Sequence, residues 1–329
     1  MGADPPVAGA PRRDAGAGGG RGVRLVAVDL DGVVWLGGTI LPDAVEALAT
    51  VVERGFDLRY VTNNSTAHRE AVSERLAAAG LPAGADRVFT SGYVTAHWLR
   101  QRLPQGAPVL VVGEAGLLRE LAEAGLSPVR AGGQPESDKL EAPRPAAARA
   151  EAGLSPVRVA APPVATTPAA AASYQAVVVG MDRGFTFAAL AQAQAAILAG
   201  ALFVGTNPDP TFPTPEGLLP GAGAVIAAVA TAAQREPVFM GKPGLGLAEV
   251  LATVTGVPPA ETLFVGDRMS TDIGMGRRAG MITALVLTGV TSPADLERAR
   301  GEGSADLPDH VLFTLADLPP LLEALVAGA

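Results

Sequence analysis

The chain has 329 residues, a net charge of −8, and 48% hydrophobic against 18% charged residues. This supplies apolar material for about two folded domains and excludes a wholly disordered chain. The acidic balance, with no clustered basic face, excludes a grip on the nucleic-acid backbone. The absence of cysteine removes disulfides, thiolate nucleophiles and cysteine–zinc sites together, and fits a cytoplasmic protein.

Residues 1–22 are rich in Gly, Ala, Pro and Arg and read as a disordered tail. Arg12–Arg13 is followed by no apolar run, so this is not a signal peptide. Residues 24–28 form a short apolar run ending in acids, the pattern of a buried parallel strand. A helix is expected over 42–54, with Asp43 and Glu46 near its start, then a strand over 57–61 and a helix over about 67–79. A new unit begins near Pro104, with a strand at 108–112 and a helix at 114–124. Residues 131–173 break the pattern and read as a low-complexity loop. Order resumes with a strand at 175–179, a helix at 187–198 and a strand at 201–205. The apolar stretch Phe185 to Val204 therefore reads as a helix running into a strand, with Gln192 and Gln194 inside it, and not as a membrane span. Strands at 237–240, 262–265 and 283–287 close the chain.

Strands alternating with helices predict an α/β fold with a parallel sheet. We expect a first piece at 23–103 and a last piece at 237–329 to form one unit, with 104–236 inserted between them. The nonapeptide Ala122 to Arg130 recurs letter for letter at Ala150 to Arg158. Two copies cannot stack into a solenoid, so a local duplication that lengthened a surface loop is the simpler reading.

Polar motifs sit where strands end, which is where parallel sheets place their sites. Asp29 and Asp31 follow the first strand, two residues apart and so facing one way. Like charges so close need a cation between them or a proton on one. A Mg²⁺ ion would keep Asp29 ionised, while Asp31 would hold a proton for a leaving group. Thr62, Asn63 and Asn64 end the next strand and could cradle an anion at a helix start. Lys242 lies between Gly241 and Pro243, placed to screen negative charge. Asp267 and Asp272 follow another apolar strand and suit the hard oxygen coordination of Mg²⁺. Each motif alone also reads as an ordinary polar turn or a surface lysine. Four in this order, each at a strand end, are hard to assemble by accident.

Together they resemble the haloacid dehalogenase superfamily, whose motifs are DxD, a Thr or Ser, a Lys and an acidic pair. The segments DLDGVVW, VTNNS, GKPG and GDRMSTDI look more narrowly like the subfamily with NagD, phosphoglycolate phosphatase and pyridoxal phosphatase. Asn207 to Asp209 matches it too. The resemblance implies a Rossmann-like parallel-sheet core with an inserted α/β cap of the C2 type. It implies a Mg²⁺-dependent phosphatase of small phosphorylated metabolites, with phosphoglycolate, glycerol 3-phosphate and nucleotide monophosphates all open. It implies catalysis by Asp29, Asp31, Thr62 and Lys242, and phosphate binding by Thr62, Asn63, Asn64, Asn207 and Lys242. Metal binding falls to Asp29, Asp31, Asp267 and Asp272, no nucleic acid or membrane partner is implied, and the cap leaves room for a homodimer. Phe212 stands where pyridoxal phosphatases carry a His, which argues against pyridoxal phosphate as substrate.

Other readings fit less well. Gly221-Ala-Gly223 lacks the third glycine of a dinucleotide fingerprint, and the residue five before Gly241 is Glu236, so Lys242 is not in a nucleotide P-loop. The histidines His68, His97 and His310 show no metal-ligand spacing, and His68 and His97 read as structural. A phospho-acceptor receiver module lacks a counterpart to Asp31 and to the late acidic pair. A catalytically dead regulatory homologue and a phosphomutase remain alternatives.

Overall fold

The computed structural model describes residues 22–133, 171–214 and 217–327. Strand β1 (Leu25–Asp29) comes first, with Leu25 to Val28 fully buried, as a central parallel strand covered on both faces requires. A two-stranded hairpin, β2 (Trp35–Leu36) and β3 (Thr39–Ile40), precedes helix α1 (Ala44–Glu53). That helix buries Ala44, Ala47, Leu48 and Val51, one face at helical spacing. Next come β4 (Asp57–Thr62), α2 (Arg69–Ala78), β5 (Val88–Thr90) and α3 (Ser91–Arg100). The middle of the chain gives β6 (Pro108–Val112), α4 (Ala115–Glu123), β7 (Ser127–Arg130), β8 (Ala176–Val179), α5 (Phe187–Leu198) and β9 (Leu202–Gly205). A hairpin of β10 (Thr211–Thr214) and β11 (Gly217–Pro220), helix α6 (Ala222–Ala233) and β12 (Val238–Phe239) follow. The last part holds α7 (Gly246–Thr255), β13 (Thr262–Gly266), a π-helical turn at Met269–Ile273, α8 (Gly274–Ala279) and β14 (Ile282–Val286). It closes with α9 (Pro293–Gly301), β15 (His310–Leu312) and α10 (Leu318–Ala327).

Two parallel sheets result. The six-stranded sheet runs β15-β14-β13-β1-β4-β5 and the five-stranded sheet β12-β9-β8-β6-β7. Strand alternation splits β1 between two cores. Val26 and Val28 join Leu58 and Tyr60 against α1 and α10, through Leu48, Val51, Leu318 and Leu322. Leu25 and Ala27 face the other way, into a cluster with Val61, Phe89, Val94 and Leu99 that continues to Leu117, Val109, Val111 and Val178. That second cluster therefore ties the two sheets into one interior, with α3 packed against both α4 and α7. Each fully buried Leu or Val contributes about 1.5–3 kcal/mol.

The expected strands and helices named above appear within two residues of their predicted ends. Several further elements carried no expectation, α6, α7, α9, β15 and α10 among them, and three features bear on the architecture. Strand β5 and helix α3 occupy 88–100, and the first nonapeptide copy ends in β7, an edge strand that tolerates Pro128. Val238 and Phe239 pair with Val204 and Gly205, so the chain leaves the five-stranded sheet after 239, not at 237. The expected tail at 1–22 lies almost wholly outside the described residues. So do most of the loop at 131–173 and the second nonapeptide copy. Among the described residues no helix is long and apolar enough to cross a membrane.

Candidate active site

Strand order decides which side chains meet. With β4 and β13 flanking β1 in parallel, Thr62 and the residue after Gly266 arrive beside Asp29 at one carboxyl edge. After Asp29 the chain turns sharply: Val34 and Trp35 N–H donate to Leu30 O at 2.9 and 3.1 Å. Gly32 adopts φ +85° in this turn, and a Cβ there would run into the Asp267 carboxylate. Glycine thus satisfies both the left-handed backbone and the close approach.

Lys242 lies among carboxylates. Its Nζ is 2.5 Å from Asp29 Oδ1 and 2.7 Å from Asp272 Oδ1. All three are buried, as is Asp267. Burial works against the ammonium charge, but Asp272 and Asp29 more than offset it and hold the lysine pKa above its ordinary value. Burial raises Asp29 well above the usual carboxylate range, with Lys242 opposing and Asp272, Asp267 and Asp31 adding to the rise. Asp267 is pushed up to about 6 by burial first and Asp272 second, against a lowering hydrogen bond from Val290 N–H at 2.6 Å. Asp272 Oδ2 accepts Arg268 N–H at 3.0 Å.

The asparagines line the same cavity but are engaged with protein groups. Asn63 Oδ1 accepts Lys242 N–H at 2.9 Å, and its Nδ2 donates to Lys242 O at 2.9 Å and to Asp209 Oδ2 at 2.8 Å. Gly241 allows this grip, because a Cβ there would lie 2.6 Å from Asn63 Oδ1. Asn207 Nδ2 and Ser91 Oγ both donate to Asn63 O at 2.7 Å. Asn64 Oδ1 accepts Thr66 N–H and Oγ–H, each at 2.8 Å, and Thr62 Oγ1 accepts Asn64 N–H at 3.1 Å. Asp31 lines the cavity with Asp29, but its carboxylate accepts Trp35 Nε1–H at 2.8 Å. It stands apart from the trio Asp29, Asp267 and Asp272, whose oxygens lie within 4.8 Å of one another. The turn at Gly32 ends the strand alternation that placed Asp31 with the metal ligands.

Comparison with known proteins shows the family. The profile of the haloacid dehalogenase-like hydrolases matches residues 26–127, and a second, HAD-hydrolase-like, matches 239–318. A glycerol-3-phosphate phosphatase from Gallus gallus is 38% identical over 90% of this chain and 90% of its own. The chain belongs to the haloacid dehalogenase-like hydrolases. A p-nitrophenyl phosphatase from Archaeoglobus fulgidus superposes with a TM-score of 0.74 at 29% identity, over 92% of this chain and all (100%) of that one. A glycerol phosphate phosphatase from Mycobacterium tuberculosis, solved with magnesium, gives 0.71 at 32% identity, over 91% of this chain and 78% of that one. This haloacid dehalogenase-like hydrolase is a phosphatase, and its cofactor is Mg²⁺.

The donor set fits that ion. Asp29, Asp267 and Asp272 offer hard oxygens, and three carboxylates against one ammonium leave two negative charges, the charge of one divalent cation. Buried Asp272 Oδ1 accepts no well-angled hydrogen bond, although the ammonium is close. Bound there, Mg²⁺ would screen the nucleophile from the phosphate's own charge.

Several contributors were not read from the sequence. Gly289 packs on Asp267, Val290 N–H binds it, and Thr288 Oγ donates to Gly32 O at 2.7 Å. A Thr-Gly-Val-Thr run just past the strand at 282–286 was the available signal. Asp209, Arg268 and Trp35 lie inside segments that carry the family resemblance but were given no role of their own.

A second cluster, His68, Glu120 and Glu123, joins α2 to α4. His68 Nδ1 accepts Glu70 N–H at 3.3 Å and so caps α2, and Nε2 lies 3.1 Å from Glu123. This accords with the structural role read for His68.

Proposed function

We propose that the enzyme hydrolyses small phosphate monoesters of neutral alcohols, glycerol 3-phosphate among them, through a phosphoaspartate on Asp29. One observation carries this: Asp29, Asp31, Thr62 and Lys242 together line a cavity of about 360 Å³. Asp29 attacks phosphorus as the bond to the leaving oxygen breaks, and Asp31 gives that oxygen its proton. Water then attacks phosphorus, Asp31 takes up its proton, and the bond to Asp29 breaks to release inorganic phosphate. Lys242, Thr62 and the loop at 63–66 hold the phosphoryl oxygens. Asn63 and Asn207 serve by fixing that loop and the Lys242 backbone. Asp29, Asp267 and Asp272 hold the Mg²⁺.

In this reading 23–103 and about 237–329 are the catalytic core and 104–236 is a cap, with β12 at the crossing paired to the cap's sheet. The cap supplies Met181, Arg183, Asn207, Asp209 and Phe212 to the cavity. Both arginines at the cavity are already matched. Arg183 donates to Glu114 at 2.7 and 2.6 Å, and Arg268 lies 3.8 Å from Asp209. Among the described residues, a leaving group bearing a second negative charge finds no free cation at the cavity, which favours a polyol over a carboxylate. The Gallus gallus and Mycobacterium tuberculosis relatives are named for glycerol phosphates, which supports the same choice.

We place the enzyme in the cytoplasm, with its cysteine-free sequence as support, and as a homodimer through the cap, where Leu218 and Leu219 are exposed. Sedimentation tests the dimer. Phosphate release with Mg²⁺ tests the substrate class: kcat/KM for glycerol 3-phosphate should exceed that for phosphoglycolate by about tenfold. A preference for phosphoglycolate would contradict the neutral-alcohol reading.

A further inference from the structure

Asp31 is exposed at the cavity. A lone carboxylate on the surface samples several rotamers, yet general acid catalysis needs one oxygen aimed at the leaving group. Among the described residues its side chain has one hydrogen-bond partner, the Trp35 indole, with Nε1–H donating to Oδ1 at 2.8 Å. The donor is itself held firmly. Trp35 is 5% exposed and packs in a core with Leu30, Val33 and Val34. Its N–H donates to Leu30 O, and its carbonyl accepts Gly32 N–H at 2.7 Å. The Arg75 guanidinium stacks 4.1 Å from the ring centroid and donates through Nη2 to Gly38 O at 3.1 Å. The hairpin of β2 and β3 is thus braced from α2, and its indole is carried back onto the residue two past the nucleophile.

We propose that Trp35 is a positioning residue for proton transfer. By occupying Oδ1 it fixes the Asp31 rotamer and leaves Oδ2 to carry the proton given to the departing oxygen and later taken from water. This rests on the reading of Asp31 as general acid. It extends that reading to a residue that touches neither phosphate nor metal ligand side chains.

A positioning role for the proton donor has a signature that a general loss of structure does not. A p-nitrophenolate leaves without a proton near neutral pH, whereas an alkoxide does not. The test compares kcat/KM for glycerol 3-phosphate with kcat/KM for p-nitrophenyl phosphate in one preparation of the Mg²⁺-loaded enzyme. Both constants report steps up to phosphoryl transfer, and any inactive fraction cancels from their ratio. Trp35→Phe keeps a buried ring and removes the N–H. It should lower the glycerol phosphate to p-nitrophenyl phosphate ratio about tenfold, within the reach of general acid catalysis. Asp31→Asn should lower it further, by about a hundredfold. If Asp31→Asn leaves the ratio unchanged, the general-acid reading fails and the proposal with it. If Asp31→Asn lowers the ratio and Trp35→Phe does not, the reading stands and the proposal is overturned. Should Trp35→Phe not fold, Arg75→Ala carries the test, because it keeps the indole but removes its brace. A ratio lowered at least about twofold then supports the proposal, and an unchanged ratio overturns it.

Discussion

The six-stranded sheet delivers Asp29, Thr62 and Asp267 from the ends of three adjacent strands. The five-stranded sheet delivers Arg183, Asn207 and Asp209 from loops after β8 and β9. Lys242 belongs to neither pattern cleanly. It follows β12, an edge strand of the five-stranded sheet, yet its ammonium lies between Asp29 and Asp272, and Asn63 binds its backbone from the other sheet. The difference is one of chemistry against alignment. One sheet carries the charges that react, and the other carries groups that hold those charges in register.

The largest effect expected on the reactive side comes from the metal. Chelation should abolish turnover and Mg²⁺ should restore it, because bare carboxylates repel by about 4 kcal/mol per pair at 4 Å and an effective dielectric of about 20. Full activity in a metal-stripped sample would contradict the metal assignment. The pH dependence has a definite sign. Asp267 is raised to about 6 in the folded protein, above the roughly 3.9 of an unfolded chain. Its contribution to stability is complete below about pH 4 and is lost as pH rises through about 6. A proton therefore competes with Mg²⁺ below about pH 6. Apparent Mg²⁺ affinity, read by thermal upshift or activity, should fall as pH drops, with Asp267 contributing about tenfold per pH unit below about 6 and the raised Asp29 adding to the fall. A pH-independent affinity would count against Asp267 as a ligand.

A smaller effect sharpens the aligning side. Asn63 donates to Asp209 Oδ2 at 2.8 Å while fixing Lys242. Asn63→Ala and Asp209→Ala should each lower kcat about tenfold, and the double variant should be no worse than the single ones, since both act through Lys242. Fully additive losses would show two separate roles.

These contacts explain what was legible in the sequence. The run at 25–28 marks β1 because a strand buried on both faces must be apolar throughout, and its end marks Asp29. Asp267 is legible for the same reason after 262–266. The grip of Asp209 on Asn63 spans 146 positions, and nothing in either local pattern encodes a contact made only when two sheets pack. Trp35 reads as one more apolar residue, because its indole donor acts through a turn. Strand β5 has three residues, too few for alternation to register. Strand β7 holds Pro128 and alternates in exposure, as an edge strand can.

The smallest effect concerns the duplicated segment. The first nonapeptide copy already supplies β7, and Ala131 N–H and Gly132 N–H are bound to Val111 O at 2.8 Å and Gln192 Oε1 at 2.9 Å. Deleting residues 134–158 removes the second copy and leaves these ties and every proposed site residue in place. On the sequence reading of this segment as an inserted loop, activity on p-nitrophenyl phosphate should stay within about twofold of the parent. Aggregation or a large fall would show that the segment belongs to the cap's fold.

The central claim is that the phosphoryl group passes through Asp29. Acid-quenching the enzyme during turnover and reducing the acyl phosphate with hydride, followed by peptide mass spectrometry, reads this directly. The modification should fall on the peptide containing Asp29, and Asp29→Asn should neither trap phosphate nor turn over above about a thousandth of the parent rate. A trapped phosphate on another residue, or a tenth of the parent activity left in Asp29→Asn, would contradict it.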